Sequence, residues 1–241
     1  MSSAATTSTT VTLRVPDPSA ASARPSSASG RKHRAIHDAA EDLFLAHGYP
    51  GTSMDDVAAR AQVSKQTVYA HFGNKEALFV ALVSTMTWSA GDAVHPTRPG
   101  APGGRVNGAA DVLALRRSDV PAFLQEYAQR QLEVVLTPRL MQLRRLVIGE
   151  VARFPDLAAA LHDAGPARAM TELSAVMAGL AARSLLRPGA AETAASTFNW
   201  LVMGGPVNDA MLLGDAAIPG ADAQRDHAAE AVRVFLAAYG S

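Results

Sequence analysis

Apolar residues recur at helical spacing along most of this chain. Between residues 31 and 47 they follow the pattern of one helix face, at Ile36, Ala40, Leu43 and Phe44. The same spacing returns in 54–61 and 78–83, and again in successive segments from 119 to the end. No run alternates apolar and polar residues as a half-buried strand would. The pattern therefore predicts an all-α fold.

Residues that start and stop helices divide the first part of the chain into four segments. Gly48 follows the first periodic run, where a helix C-cap favours a left-handed residue. Ser53 and Ser64 occupy N-cap positions before the second and third segments, and Asp56 gives Ser53 a variant of the capping box. Asn74 is the expected N-cap of a fourth helix that ends near Ser89.

The second and third segments, residues 54–73, are two short helices joined by a tight turn. In the later helix Val68 and Phe72 lie one turn apart and are expected to face inward. The opposite side carries side chains able to contact phosphates or base edges, namely Lys65, Gln66, Thr67, Tyr69, Ala70 and His71. This arrangement predicts a helix-turn-helix that binds double-stranded DNA.

Charge is unevenly distributed. The formal net charge of the 241 residues is zero, but the chain up to Arg34 has five basic residues and the single acid Asp17. A basic arm beside a helical reader provides a modest electrostatic attraction for nucleic acid.

Composition and local sequence exclude several other classes of protein. The chain has no cysteine, which excludes disulfides and thiolate chemistry. No stretch approaches the roughly 18 apolar residues of a membrane span, and residues 1–30 lack the apolar segment of a secretory signal. We therefore expect a cytoplasmic protein without a membrane partner.

Four regions follow from these patterns. Residues 1–30 are expected to be a disordered, basic arm rich in Ser, Ala and Thr, and residues 31–91 a DNA-binding domain. Residues 92–118 are Pro/Gly-rich and predict a loop, either a domain boundary or a flap over a pocket. Residues 119–241 predict a second helical domain.

A set of short motifs accompanies the helix-turn-helix: Gly48-Tyr49, Thr52-Ser53, Val63-Ser64, Thr67-Val68-Tyr69, His71-Phe72 and Lys75-Glu76-Ala77-Leu78-Phe79. With these motifs, residues 31–83 resemble the TetR family of transcriptional regulators. The resemblance implies a three-helix DNA-binding domain and a C-terminal helical bundle, about nine helices in all. Gln62 departs from the family, which commonly has glycine there, and is expected to reach positive φ at modest cost.

Each residue of the predicted DNA-binding face has an expected role. Ser64 caps the reader helix and leaves its positive end near phosphate, Lys65 and Lys75 hold phosphates, and Gln66 and Ala70 contact base edges. Thr67 and Tyr69 could bind phosphates through their hydroxyls, and Tyr69 could instead be an amphipathic rim residue. His71 either donates to a phosphate or bridges helices. The resemblance adds Thr52 and Ser53, at the start of the preceding helix.

The second half resembles the ligand-binding region of one TetR subgroup through two motifs, at 144–150 and 153–157. This resemblance implies a homodimer with a four-helix interface, and a small-molecule effector that alters the spacing of the two readers. Dimerisation also follows from physics, because one short helix reads only a few base pairs and a palindromic operator needs two readers. The expected interface is 190–213 and 225–239, although these segments could instead complete the monomer core.

An apolar effector pocket is expected between helices of the second half. Its candidate lining is Trp88, Phe123, Tyr127, Met141, Met177, Trp200 and Met203, with Asn199 or Asn208 providing polar orientation. The same side chains at helical spacing could equally be ordinary core.

Catalytic arrangements are not found. There is no Gly-x-Ser-x-Gly elbow and no phosphate-binding glycine loop. His33 and His37 are one turn apart but lack the Glu of a His-Glu-x-x-His zinc site, so a solvated face is the better interpretation. We expect no enzyme activity, metal or cofactor, and favour a ligand-responsive dimeric repressor. The alternatives are an activator of the same fold, or a helical binding or enzymatic domain whose helix-turn-helix only packs.

Overall fold

The computed structural model describes the backbone of residues 28–94 and 111–241, with side chains for all of these except 87–94 and Asp111. The predicted arm before Ala28 and residues 95–110 of the predicted loop lie outside the described residues.

The described residues form ten α-helices. The first four are α1 (Ala28–His47), α2 (Met54–Arg60), α3 (Lys65–Phe72) and α4 (Lys75–Val94). The remaining six are α5 (Val120–Val135), α6 (Pro138–Gly149), α7 (Pro155–His162), α8 (Arg168–Ala182), α9 (Ala191–Leu213) and α10 (Ala221–Tyr239). Within the described ranges, extended pairing is limited to one isolated bridge between Leu186 and Gly240. The all-α prediction is confirmed.

Helix boundaries in the first domain follow the predicted caps. The hydroxyl of Ser53 accepts from the Asp56 amide, and Ser64 accepts from the Thr67 amide. The side-chain oxygen of Asn74 accepts from the Ala77 amide at 2.8 Å. Gly48 has the left-handed φ of 71° that a C-cap favours. These four cap predictions are confirmed.

Two boundaries differ from the prediction. Helix α4 continues past Ser89 to Val94, since the one glycine in between, Gly91, weakens a helix without stopping it. Residues 111–119, predicted as loop, contain two 3₁₀ turns. Val112 is fully buried and its carbonyl accepts from Arg183, the residue that follows α8, which explains why this part of the predicted loop has a defined structure.

The described residues form two apolar cores, and the first of them crosses the boundary between the two domains. It contains Phe44, Val68 and Phe79 of the DNA-binding domain together with Val147 and Phe154 from α6 and the α6–α7 turn. The second core lies among α5, α8, α9 and α10. Side chains of the two domains therefore pack into one common core.

Charged side chains of α6 also connect this helix to α1 and to the end of α9. Arg139 makes two hydrogen bonds to Glu41 of α1, at 2.5 and 2.9 Å. Arg145 pairs with Asp215, in the 3₁₀ turn after α9, and donates to the Ala210 carbonyl. Helix α6 thus joins the DNA-binding domain to the end of α9. Among the described residues, no helix has the length and apolar character needed to cross a membrane.

Candidate nucleic-acid interface

Helix α3 presents the predicted face to solvent. Val68 is fully buried, while Lys65, Gln66, Tyr69 and Ala70 are exposed. A helix with one buried stripe and a polar, exposed opposite side is the geometry required of a major-groove reader.

The turn before α3 has the strain that the sequence indicated. Gln62 has φ of 54°, so a non-glycine side chain occupies the left-handed region. Ser64 then caps α3, and its hydroxyl lies 2.8 Å from the hydroxyl of Thr67. The positive end of this helix favours an anion.

Lys65 has a carboxylate partner in the free protein. Its ammonium lies 2.8 Å from Asp55 of α2, and this hydrogen bond raises the pKa of Lys65. The ammonium is also 5.9 Å from the centre of the Tyr69 ring. To bind a phosphate, the ammonium of Lys65 must therefore bind it together with Asp55 or break its ion pair with Asp55.

A shallow groove of about 380 Å³ runs between the start of α1 and α3. It is lined by Ala28, Ser29, Lys32, Ser64, Gln66, Thr67, Ala70 and His71. Sequence reasoning missed Ser29 and Lys32 as members of this surface. The helical spacing of Ser29 and Lys32 places them on one face of α1, which the sequence could have indicated. That this face lies beside α3 depends on tertiary packing.

His71 lies at the junction of α1 and α3. Its ring centroid is 5.8 Å from that of His33, which in turn is 4.8 Å from Phe72. Burial, and next the neighbouring His71, lower the pKa of His33. His71 bridges helices and also borders the groove, so both predicted roles remain compatible with its position.

Thr52 is a correction. Its side chain was expected among the DNA contacts, but the residue is only 3% exposed. Its hydroxyl lies 3.1 Å from the Leu43 carbonyl and 3.0 Å from the Gly48 carbonyl. The hydroxyl therefore fixes the α1–α2 turn and cannot also reach DNA. Ser53 is exposed, although its hydroxyl is held by Asp56 at 2.6 Å.

Lys75, at the start of α4, packs on Tyr49. Its ammonium is 4.3 Å from the ring centre, and the guanidinium of Arg153 is 4.7 Å from the same centre. Burial, followed by repulsion from Arg153, lowers the pKa of Lys75. Arg153 was not predicted as a member of this surface.

Comparisons with known proteins agree with this geometry. Residues 36–82 match the family model described as bacterial regulatory proteins of the tetR family. Residues 122–241 match the model of the AefR-like transcriptional repressor C-terminal domain. A solved TetR-family regulator from Mesorhizobium loti is 31% identical, with a TM-score of 0.73, over 89% of this chain and 100% of that one.

The chain belongs to the TetR family of transcriptional regulators.

Other relatives match this chain at lower identity or over a shorter segment. The flavonoid-responsive regulator FrrA is 26% identical with a TM-score of 0.61, over 88% of this chain and 98% of its own. The repressor SCO4008 of Streptomyces coelicolor is 42% identical over 48 residues, 20% of this chain and 25% of its own length. A Bacillus subtilis helix-turn-helix regulator is 39% identical over 72 residues, and this chain spans 38% of its length. As a TetR-family member, the protein is a DNA-binding regulator and not an enzyme.

The predicted effector residues divide into three groups. Phe123, Met141, Met177 and Met203 are buried in the second core, with Tyr127 packed against it. Trp88 lies in the last part of α4, residues 87–94, whose side chains are outside the described set. Trp200 is a correction: it is 70% exposed, because the buried side of α9 is formed by Phe198 and Val202. Asn208 is exposed as well.

Gln131 is a polar residue of this core that the sequence analysis did not select. It is 6% exposed, and its amide nitrogen donates to the Asn199 side chain at 3.0 Å. Its amide oxygen is buried without a hydrogen-bond partner. Gln131 follows Tyr127 by four residues and so shares its helix face, which was the available signal. Burial raises the pKa of Tyr127.

The two C-terminal segments predicted to form an interface expose large apolar side chains. Trp200, Leu212 and Leu213 of α9 and Val234 of α10 are all exposed. Other residues of the same helices, such as Phe198 and Phe235, complete the monomer core. The monomer core therefore uses one part of these helices, and the interface on their exposed apolar residues stays a prediction.

Proposed function

We propose that this protein is a homodimeric repressor that binds a palindromic operator through α3 and is released by a small, largely apolar effector. The observation that carries the proposal is the orientation of α3, with Val68 buried and Gln66 and Ala70 exposed. On this surface Gln66 is the expected adenine contact, and Ala70 rests against a thymine methyl. Ser53, Ser64, Lys65, Thr67, Tyr69, His71 and Lys75 position the helix on phosphates.

Exposed apolar side chains on α9 and α10 support the dimer in this proposal. Trp200, Leu213 and Val234 expose apolar surface to water, and a second copy would bury part of it. A twofold dimer presents two α3 helices to successive major grooves, about 34–36 Å apart or a multiple of that distance.

The second core supports an apolar effector. Its aromatic and methionine side chains repack readily around a guest, and the unpartnered oxygen of Gln131 can accept a hydrogen bond from one. The relative FrrA responds to flavonoids, which favours an aromatic effector with hydroxyl groups. The repressor assignment follows the description of the matching C-terminal family model.

Selection of bound duplexes from a random pool tests the proposal. We expect enrichment of a palindrome, followed by its release when apolar compounds are screened against the complex. Absence of any enriched sequence at physiological salt contradicts the DNA-binding part. A selected operator that no apolar compound releases contradicts the effector part.

A further inference from the structure

Two cations from different domains meet on one aromatic ring. Lys75 of the DNA-binding domain and Arg153 of the α6–α7 turn both lie over Tyr49, 4.3 and 4.7 Å from its ring centre. Arg153 also lies 5.4 Å from the ring centre of Phe154, which is buried and packs against Tyr49 and Phe79. The ring cluster therefore holds the two charges together.

This pair differs from two other basic residues beside the helix-turn-helix, which have carboxylate partners. Lys65 has Asp55 at 2.8 Å, and Arg60 has Asp42 at 2.5 Å. Within the described ranges, neither Lys75 nor Arg153 has a carboxylate within the 4.0 Å of an ion pair. Glu150 acts to raise the pKa of Lys75, and Glu76 and Glu150 act to raise the pKa of Tyr49, but neither carboxylate forms an ion pair with either cation. Like charges held close without a carboxylate bridge are stabilised by an external anion.

The position of the pair indicates which anion. Lys75 begins α4 three residues after α3 ends, and Tyr49 lies four residues before the Ser53 cap of α2. Arg153 is exposed, so an anion in solution can reach it. A duplex seated on α3 brings its backbone to the ends of the neighbouring helices.

We propose that Arg153, a residue of the C-terminal domain, joins Lys75 in binding one backbone phosphate of the DNA. The inference rests on the proposed function and adds to it a contact from the domain that holds the effector. A phosphate between the two cations connects DNA to the α6–α7 turn directly. Separating Arg153 from Lys75 would then weaken binding to every sequence.

Salt-dependent binding of Arg153→Gln tests this contact on the full-length protein. Anisotropy titrations use a labelled duplex selected by the wild-type protein and a scrambled duplex, from low to moderate KCl. We expect Arg153→Gln to bind both duplexes several-fold more weakly, and the slope of log Kd against log salt to fall by about 0.9 for each protomer's lost phosphate. Lys75→Gln should behave alike, and the double variant should lose less than the sum of the two singles.

Two matched variants separate a contact from a general effect of charge. Arg187→Gln removes an exposed arginine that donates to Ala238 near the C-terminus, and should leave the salt slope unchanged. Glu150→Gln removes a negative charge beside the pair, and should tighten both duplexes.

Three results overturn the inference. One is an Arg153→Gln salt slope equal to that of Arg187→Gln while the wild-type protein binds its operator. Another is weaker binding with an unchanged slope and a lowered melting temperature, which would make Arg153 a packing residue only. If the wild-type protein selects no duplex at all, the proposed function fails as well, so the two failures are distinguishable.

Discussion

At the scale of single residues, the DNA-binding surface contains two chemically different kinds of contact. Gln66 and Ala70 can distinguish bases, because an amide and a methyl group match particular base edges. Lys75 and the other cations can only hold the backbone, which is the same for all sequences. Substitutions at the two kinds of position should therefore differ in what they do to specificity.

Gln66→Ala should lower affinity for the selected operator by about 1–3 kcal/mol, the usual range for one good base contact, and leave a scrambled duplex nearly unaffected. Competition titrations with the two duplexes measure this difference. Lys75→Ala is the comparison, since it should weaken both duplexes alike. Equal losses on both duplexes for Gln66→Ala would refute its assignment as a base contact.

His37 makes stability depend on pH. Its Nε2 is buried without a partner, and burial lowers the pKa of its ring despite the neighbouring Glu41 and Asp38. His33 and Arg139 act in the same direction as burial. The unfolded chain therefore takes up the proton more readily than the folded protein. Stability should be fully present above about pH 6.5 and decrease as pH falls below it.

Melting temperatures from pH 8 to 5.5 test this linkage. His37→Leu should show a smaller decrease towards low pH than the wild-type protein. His47→Leu, at the exposed end of the same helix, should follow the wild-type curve. Parallel curves for His37→Leu and the wild-type protein would contradict the role of His37.

Some residues could be predicted from sequence and others could not, for a physical reason. Ser53, Ser64 and Asn74 act within one helical turn, so local spacing is sufficient to identify them. Thr52 and Trp200 depend on distant packing: the hydroxyl of Thr52 turns towards the carbonyls of Leu43 and Gly48, and Trp200 lies outside the buried stripe of α9. Arg153 meets Lys75 only because the two domains share a core.

At the scale of elements, the α2–α3 turn has a residue poorly suited to its backbone. Gln62 has φ of 54°, and a side chain in the left-handed region costs about 1–2 kcal/mol. Glycine removes this cost. It also raises the conformational entropy of the unfolded chain, which lowers the stability of the folded protein by about 0.4–1 kcal/mol. Removal of the backbone strain is the larger of the two effects, so the substitution should stabilise the protein.

Gln62→Gly should therefore raise the melting temperature by up to a few degrees, as measured by circular dichroism or calorimetry. Ala59→Gly, in the exposed part of α2, is the matched control and should lower it, since glycine inside a helix costs about 1 kcal/mol. A lower melting temperature for Gln62→Gly would show that the turn is not strained.

Elements were easier to predict than their relative positions. Periodic apolar residues and caps are local signals, and they located the first four helices to within a few residues at each end. The packing of α1 on α3, and of the α6–α7 turn on Tyr49, depends on contacts between residues far apart in sequence. Residues 111–119 depend on such contacts as well, because Val112 is buried in the second core and its carbonyl accepts from the distant Arg183 as well as from its neighbour Leu115.

At the scale of the whole molecule, two readers are needed for useful specificity, so assembly should control operator binding. Trp200→Asp places a charge on the exposed face of α9 and should convert the dimer to a monomer, measured by light scattering. Since Trp200 is 70% exposed, circular dichroism should be unchanged. Operator affinity should fall strongly while binding of a single half-site persists.

The matched control for this prediction is Leu113→Asp. Leu113 is 75% exposed and lies in a 3₁₀ turn before α5, not on α9 or α10. It should leave the molecular mass and operator affinity unchanged. A Trp200→Asp protein that keeps the mass of a dimer would contradict an interface on this face of α9.

The orientation of α3 is the claim on which the account depends, and cysteine labelling measures it directly. The natural chain has no cysteine, so Gln66→Cys gives a single reactive thiol on an otherwise inert background. Its alkylation rate should approach that of an exposed thiol in the free protein and fall steeply when the selected operator is bound. Leu113→Cys should react equally fast in both states. A slow Gln66→Cys reaction in the free protein, or no protection by saturating operator, would contradict the account.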